Sequence, residues 1–255
     1  MKLSRASHKA AGHAGQSAGR TAIYRDDQLP ASVSERAYEA LRAALIDGSY
    51  PMGVRLTEEQ LVADLGLGRT PVREALKRLE AEMLLRVVSG TGLTVLMPTI
   101  EEFDDLCEMR GAVDALAARA AAQRATASQI DALEHTHEWI ATSSAAGDAA
   151  SVVRGNIRFH VQLLEASHNR RLVQMTRPLV DAFQILATRL GHGRTTEMVA
   201  EHASILTAIR AHDADAAELA AREHIERAHR FYARRIMDLN LRPKLVQGVH
   251  EAAAE

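Results

Sequence analysis

Apolar residues recur at intervals of three and four along most of the chain, and short polar or glycine-containing segments interrupt this repeat. Such spacing places the apolar side chains on one face of a helix. The first clear stretch follows Ser32, where Tyr38, Leu41 and Leu45 are separated by these intervals, and it stops at Gly48. The pattern therefore predicts an amphipathic helix between Ser32 and Gly48.

Two further short helices are predicted mainly from signals at their ends. Thr57 is followed three residues later by Gln60, the capping-box pattern that begins a helix, and Gly66 marks the end of that helix. The next helix is predicted to begin at residues 68–71, because a proline is tolerated in the first turn of a helix. The two helices form a predicted helix-turn-helix over about residues 58–77.

A pair of strand-like segments follows these helices. Residues 84–88 and 93–97 are largely apolar, and the segment between them, residues 89–92, has the sequence Ser-Gly-Thr-Gly. Two apolar runs around a glycine-rich turn predict a β-hairpin. Three short helices and a small hairpin within residues 30–99 indicate a winged helix-turn-helix domain.

After Pro98 the apolar spacing is helical as far as about Leu239. Six helices are predicted, over residues 101–124, 128–144, 149–167, 170–190, 195–211 and 213–239. Their short connections suit antiparallel neighbours in a bundle. The predicted fold is therefore mainly α, with the winged helix-turn-helix domain followed by an all-α helical bundle of six to seven helices over residues 100–240.

The composition excludes several classes of protein. A length of 255 residues suits two modest domains, and a net charge of −2 excludes a globally basic coat for nucleic acid but leaves room for a local basic face. The single cysteine, Cys107, excludes an intrachain disulfide and a cysteine-based zinc finger. Since no run approaches about 18 apolar residues, we expect a soluble, cytoplasmic protein with no membrane partner. Residues 1–29 are predicted to be a disordered basic tail, and residues 241–255 a C-terminal tail.

The second helix of the helix-turn-helix concentrates positive charge. Between residues 69 and 78 it contains Arg69, Arg73, Lys77 and Arg78 against a single acidic residue, Glu74. In a helix-turn-helix protein this helix lies in the major groove, where arginine can pair with guanine. On charge alone, the solvated face of an amphipathic helix is the better interpretation, so the assignment needs the wider motif.

That motif extends from Leu45 to Leu96, and it closely resembles the DNA-binding domain of the GntR family of bacterial transcription regulators. It contains the turn G-S-Y-P-M-G-V-R-L, the run L-G-L-G-R-T-P-V-R-E-A-L and a glycine-bearing wing. The resemblance implies contacts with double-stranded DNA from the recognition helix and from the wing tip. The implied contact residues are Arg69, Thr70, Arg73, Lys77, Ser89, Gly90, Thr91 and Gly92.

Three positions depart from the usual GntR pattern. Gly68 replaces the common Ser or Thr that caps the recognition helix, and Met83 replaces a glycine that usually ends it. Glu59 lies where many relatives have an arginine that contacts DNA. These departures bear on the affinity for DNA and on the operator sequence, and the DNA-binding role is expected to remain.

The segment of residues 100–240 resembles the effector domain of the FadR-like branch of this family, called the FCD domain. The resemblance rests on residues 109–114 in the entry helix, on residues 156–160, and on the Glu-His pairs at 201–202 and 223–224. It implies a domain that binds an effector and forms a homodimer.

Three histidines are candidates for a metal site. His160, His202 and His224 each lie on an apolar face of a different predicted helix, and Asn156 is four residues before His160. A single buried histidine is more often hydrogen-bonded to protein groups. Three that converge with an amide oxygen favour a divalent ion, and imidazole ligands suit Zn or Ni.

The ligand set also suggests the effector. Asn156 lies where the family commonly has aspartate, so a bound ion would keep its full charge and would favour an anion. We therefore expect a small organic acid as the effector, with Arg110 as a second anchor because arginine binds carboxylates bidentately. The alternative role for Arg110 is a buried structural ion pair.

The sequence thus predicts a dimeric, metabolite-responsive transcription regulator rather than an enzyme. It would act as a repressor at an inverted-repeat operator, with its two recognition helices related by a two-fold axis. Two alternatives stay open. The first is the same regulator with a structural metal or none and a larger apolar effector, and the second is a metalloenzyme with three histidine ligands.

Overall fold

A computed structural model describes residues 32–252, apart from residues 52, 54, 89–91, 96–97 and 192. The predicted tail of residues 1–29 lies outside the described residues, as do the predicted wing-tip residues Ser89, Gly90 and Thr91. The described part of the chain contains nine helices and one small sheet. The prediction of a mainly α fold with a small β wing is confirmed.

The N-terminal domain alternates short helices with short strands. Its elements are α1 (Val33–Asp47), β1 (Arg55–Leu56), α2 (Glu58–Leu65), α3 (Arg69–Ala81), β2 (Leu85–Val88) and β3 (Gly92–Val95). The predicted end signals are confirmed for α2. Thr57 and Gln60 form a complete capping box, and Gly66 ends the helix in the left-handed conformation that glycine adopts without strain.

The three strands form an antiparallel sheet in the order β1-β3-β2. The sequence pattern does not predict β1, since two residues are too few to show an alternation. Gly92, the first residue of β3, has a φ of 121°, and a Cβ atom there would lie 2.4 Å from the carbonyl oxygen of Leu56. Glycine is therefore required where β3 approaches the backbone of β1.

The C-terminal domain consists of six helices. They are α4 (Ile100–Arg124), α5 (Ala127–Ala145), α6 (Ala149–Ala166), α7 (Arg170–Leu190), α8 (Thr195–Arg210) and α9 (Ala214–Ala252). Helix α4 packs on α6, α7, α8 and α9, so it lies at the centre of the bundle. No helix in the described ranges has the length and apolar character needed to cross a bilayer.

Helix α9 is longer than the sequence predicts. It continues to Ala252, whereas the apolar repeat predicts an end near Leu239. Among its described side chains, the last one buried in the bundle is Ile236. Apolar periodicity marks only the part of a helix that packs against a core, so it gives no signal for the turns beyond.

The two domains meet where α1 packs against α7. Arg42 on α1 and Asp181 on α7 form a two-pronged ion pair through Nε and Nη2, and their side chains are 3% and 0% exposed. Beside this pair, Arg177 donates to Glu39 at 2.6 Å. Helix α7 is therefore attached to the N-terminal domain through buried charge.

A second contact lies at the other end of the same surface. The Nη2 atom of Arg189, near the end of α7, donates to the backbone oxygens of Leu45 and Tyr50 at 2.9 and 2.5 Å. These oxygens flank the turn that follows α1, where the last carbonyls of a helix lack partners within the helix. Helix α7 thus contacts α1 along its length and beyond its end.

Candidate functional site

His160 on α6, His202 on α8 and His224 on α9 come together in the core of the helical domain. The three residues are 2%, 0% and 4% exposed, and their ring centroids lie 4.8 to 5.4 Å apart. One ligand atom from each ring lies within 4.8 Å of the others. The structure therefore brings together the three histidines that the sequence places on separate apolar helix faces.

Two of these rings are positioned by carboxylates. Nδ1 of His224 lies 2.8 Å from Oε2 of Glu201, and Nδ1 of His160 lies 3.3 Å from Oδ2 of Asp114. Both contacts use Nδ1, so Nε2 is the nitrogen left to bind a ligand. A carboxylate behind a histidine in this way is the usual support for a metal ligand, because it fixes the ring and raises its basicity.

Two polar groups in the cluster have no partner. Both ring nitrogens of His202 are buried and form no hydrogen bond within the part of the chain that the structure describes, and the ring stacks on Phe159 with 4.0 Å between centroids. Oδ1 of Asn156 is likewise buried and unpartnered, while its Nδ2 donates to Oε1 of Gln184 at 2.8 Å. Buried polar atoms are normally paired, so an imidazole nitrogen and an amide oxygen left free beside two further imidazoles fit a bound divalent ion.

Burial keeps all three imidazoles neutral at pH 7. Desolvation lowers the pKa of His160 to about 4, and it also lowers the pKa values of His202 and His224. Burial by itself raises the pKa of the Asp114 carboxyl. The Arg110 guanidinium and the contact with His160 outweigh burial and hold this pKa well below its usual range. The site thus presents neutral imidazoles, the protonation state that binds metals.

We expect acidification to destabilise the metal-free protein. The unfolded chain takes up protons on these histidines below about pH 6.5, whereas the fold resists protonation of His160 down to about pH 4. The unfolded state therefore binds more protons in this window. The free energy of unfolding should fall with the pH by about 1.4 kcal/mol per pH unit for each histidine involved. Urea unfolding in the presence of a chelator measures the slope, and a free energy independent of pH across the window would contradict it.

A small cavity of about 30 Å³ adjoins the histidines. Its polar lining comes from α6, α7, α8 and α9, and the residues are Asn156, His160, Gln184, Arg194, Thr195, His224 and Tyr232. Apolar side chains such as Phe183 and Met198 complete the wall. Since one water needs about 10–15 Å³ of such volume, the cavity admits only a small group unless its wall moves.

The arginine that lines this cavity is Arg194, which the sequence pattern does not single out. Its Nη2 atom donates to both oxygens of Glu201, at 2.7 and 2.5 Å. Arg110, the predicted second anchor, is absent from the lining. It is 1% exposed, it donates to Asp114 at 2.6 Å, and its guanidinium lies over the Phe183 ring. Arg110 thus forms the buried ion pair that the sequence left as the alternative.

The predicted DNA-contacting residues of α3 lie on one exposed surface of the N-terminal domain. Arg69, Thr70, Arg73 and Lys77 are all exposed, while Val72 and other apolar residues of α3 face the core. As the sequence suggests, Gly68 provides no side-chain cap for this helix. The recognition helix therefore presents its basic face to solvent.

Met83, another departure from the usual pattern, occupies a strained position after α3. Its φ is 57°, a left-handed conformation that favours glycine, and the residue is 75% exposed. The backbone conformation thus explains why glycine is usual here, and why methionine is tolerated only at some cost in strain.

Both domains match known protein families. Residues 33–95 match the family described as "Bacterial regulatory proteins, gntR family", and residues 105–227 match the "FCD domain". The Uxu operon transcriptional regulator of Escherichia coli is 31% identical over 229 residues, which cover 77% of this chain and 86% of that protein. The Galactonate operon transcriptional repressor of Escherichia coli is 27% identical over 212 residues, with 74% and 91% of the two chains covered.

A solved structure supports the fold independently. The structure of E. coli McbR/YncC covers 80% of this chain and 98% of that chain, with a TM-score of 0.72 and 22% sequence identity. The winged helix-turn-helix, the six-helix domain and the two family matches agree along the described chain. The chain therefore belongs to the GntR family of bacterial regulatory proteins and combines its DNA-binding domain with an FCD effector domain.

Proposed function

We propose that this regulator is a repressor that binds an inverted-repeat operator as a homodimer and senses a small organic acid at a divalent metal site in its FCD domain. The observation that carries the proposal is the cluster of three buried, neutral histidines beside a small cavity, with both nitrogens of His202 lacking a partner among the described residues. The name of the galactonate relative supports the repressor sense.

His160, His202 and His224 would hold the ion, and Oδ1 of Asn156 is a fourth donor. This set of imidazole nitrogens with one neutral oxygen suits Zn²⁺ or Ni²⁺. When bound, the ion supplies a positive charge with coordination positions open to a carboxylate oxygen. The chain's own part is to hold the rings in place through Asp114 and Glu201.

The charges around the cluster favour an anionic effector. All four candidate ligands are neutral, and the two nearby carboxylates are each paired with an arginine, Asp114 with Arg110 and Glu201 with Arg194. Each ion pair has no net charge, so the charge of a bound ion would remain uncompensated in a buried site. A small acid entering the cavity would provide the missing negative charge.

A second copy of the chain has an apolar surface on which to pack. Met109 and Leu116 lie seven residues apart on one face of α4, and they are 53% and 50% exposed. In a two-fold dimer the same face of each copy meets its counterpart, so these apolar side chains would be buried in both copies at once. A dimer also supplies the two recognition helices that an inverted repeat requires.

A thermal-shift screen of small organic acids tests the effector proposal. We expect an acid to raise the melting temperature in the presence of Zn²⁺ or Ni²⁺ and to have no effect when a chelator is present, because ligand binding to the folded state stabilises it. The Asn156→Asp variant is the matched control. Its added negative charge should strengthen metal retention and weaken the response to the acid. An acid that stabilises both proteins equally in chelator would contradict the metal-bound effector.

A further inference from the structure

The start of α2 holds an arginine of the recognition helix. Oε2 of Glu58 accepts from Nε of Arg73 at 3.1 Å, and Oε1 accepts from Nη2 at 2.8 Å. This is a two-pronged carboxylate–guanidinium pair, which has a defined geometry as well as attraction. The backbone of Glu58 is held in the first turn of α2, next to the capping residue Thr57.

The other recognition-helix cations are held differently. Arg69 lies 4.0 Å from Glu59, and both side chains are 67% exposed. Lys77 has no carboxylate partner among the described residues. In the part of α3 that faces DNA, Arg73 is thus the cation whose guanidinium plane is set by a two-pronged contact.

Among the described residues, Glu58 is the hydrogen-bond partner of Arg73, and it leaves one donor edge of the guanidinium without a partner. A guanidinium has five N–H donors, and Glu58 occupies the edge formed by Nε and Nη2. The remaining edge, between Nη1 and Nη2, carries the two parallel donors that match O6 and N7 of guanine. We propose that Glu58 is a positioning residue for base recognition, which holds the Arg73 guanidinium so that its free edge reads a guanine in each operator half-site.

This role differs from simple competition between Glu58 and DNA for Arg73. A carboxylate that only competed would weaken binding to every duplex, so its removal would strengthen specific and non-specific binding alike. A carboxylate that positions Arg73 contributes discrimination at one base pair. Its removal therefore weakens that discrimination, even though the loss of a negative charge favours contact with phosphates.

The inference rests on the DNA-binding role of the domain, and the experiment separates the two. The full chain first selects its operator from a pool of random duplexes. Binding is then measured to the selected duplex, to duplexes in which each guanine is replaced by adenine, and to an unrelated duplex of equal length. The Arg73→Ala variant identifies the guanine that Arg73 reads, as the position whose replacement no longer matters.

For the wild-type chain we expect replacement of that guanine to weaken binding about 10- to 100-fold, the usual value of a bidentate arginine–guanine contact. Glu58→Gln should reduce this discrimination at least about fivefold while binding to the unrelated duplex strengthens, because an amide cannot accept on both prongs. Glu59→Gln removes the same charge one residue away, and it should keep the wild-type discrimination.

Three outcomes would overturn the inference. Glu58→Gln could retain full discrimination, Glu58→Gln and Glu59→Gln could change all affinities equally, or Arg73→Ala could keep every guanine preference. A wild-type chain that selected no sequence would overturn the DNA-binding role as well. Circular dichroism and the melting temperature of each variant check its fold, and Arg73→Lys provides a second test because lysine cannot form the two-pronged contact.

Discussion

Replacing His202 with alanine is expected to abolish tight binding of Zn²⁺ or Ni²⁺ by this chain. His202 is the member of the cluster whose two ring nitrogens are both buried and have no partner among the described residues. Its loss leaves two imidazoles and one amide oxygen, too few for a strong site. Since even residues that only support a ligand are worth about 10- to 100-fold in metal affinity, we expect a loss of more than about 100-fold.

The same substitution should have a smaller effect on the metal-free fold. Alanine leaves a space against Phe159, but it also removes two unsatisfied polar atoms from the core. These effects oppose one another. The variant should therefore lose the stabilisation that the ion gives to the wild-type protein, while the two proteins melt at similar temperatures in chelator.

Metal content per chain after dialysis, and melting curves with and without chelator, measure both effects. His135→Ala is the matched control, because His135 is exposed on α5 and lies outside the cluster. This control should bind metal like the wild-type chain. One ion per chain retained by His202→Ala would refute the assignment of the site.

Most helix positions in this fold can be predicted because local chemistry determines where each helix begins and ends. Thr57 and Gln60 cap α2 within the segment itself, and Gly191 ends α7 where the pattern predicts. Strand β1 and the last turns of α9 are not predicted. The pairing of β1 with β3 leaves no periodic trace in the sequence, and neither does the continuation of α9 beyond Leu239.

The residues of the candidate site can be predicted where they lie on the apolar face of a helix, and are missed elsewhere. His202 and His224 lie within apolar faces, so their convergence follows once the helices pack. Arg194 and Gln184 are missed. Arg194 precedes the first residue of α8, outside any helical repeat, and the position of Gln184 depends on how α7 packs on α6. For Arg110 a signal was available, because an acidic residue four positions later on the same helix predicts the ion pair that forms.

The contact between the domains is the least predictable feature. Arg42 and Asp181 are 139 residues apart, and an isolated arginine on an amphipathic helix is usually solvated. Their pairing depends on the docking of two separately folded units. Helix α7 also contributes Phe183 and Gln184 to the wall of the cavity, so one helix connects the domain contact with the candidate site.

We expect Asp181→Asn to destabilise the protein by about 3–5 kcal/mol, the usual cost of removing one partner from a buried ion pair. The substitution removes the two-pronged carboxylate partner of the buried Arg42 guanidinium and leaves the longer contact with Glu39 at 3.5 Å, and arginine cannot lose its proton. Arg42→Met should cost less. Burial already raises the pKa of Asp181 against the opposing effect of Arg42, so without the arginine this carboxyl can take up a proton and become neutral.

Urea unfolding of the two single variants and the Arg42→Met/Asp181→Leu double variant measures these costs. The double variant replaces both charges with apolar groups, and it should recover most of the stability lost in Asp181→Asn. Equal costs for the two single variants would contradict the asymmetry between an arginine that stays charged and an aspartate that can be neutralised. Because α1 is fixed to α7 through this pair, and if the proposed acid effector releases the operator, the double variant should still bind its operator but release it less completely when that acid is added. Loss of coupling without loss of stability would identify the buried charges as the link between the FCD cavity and the recognition helix.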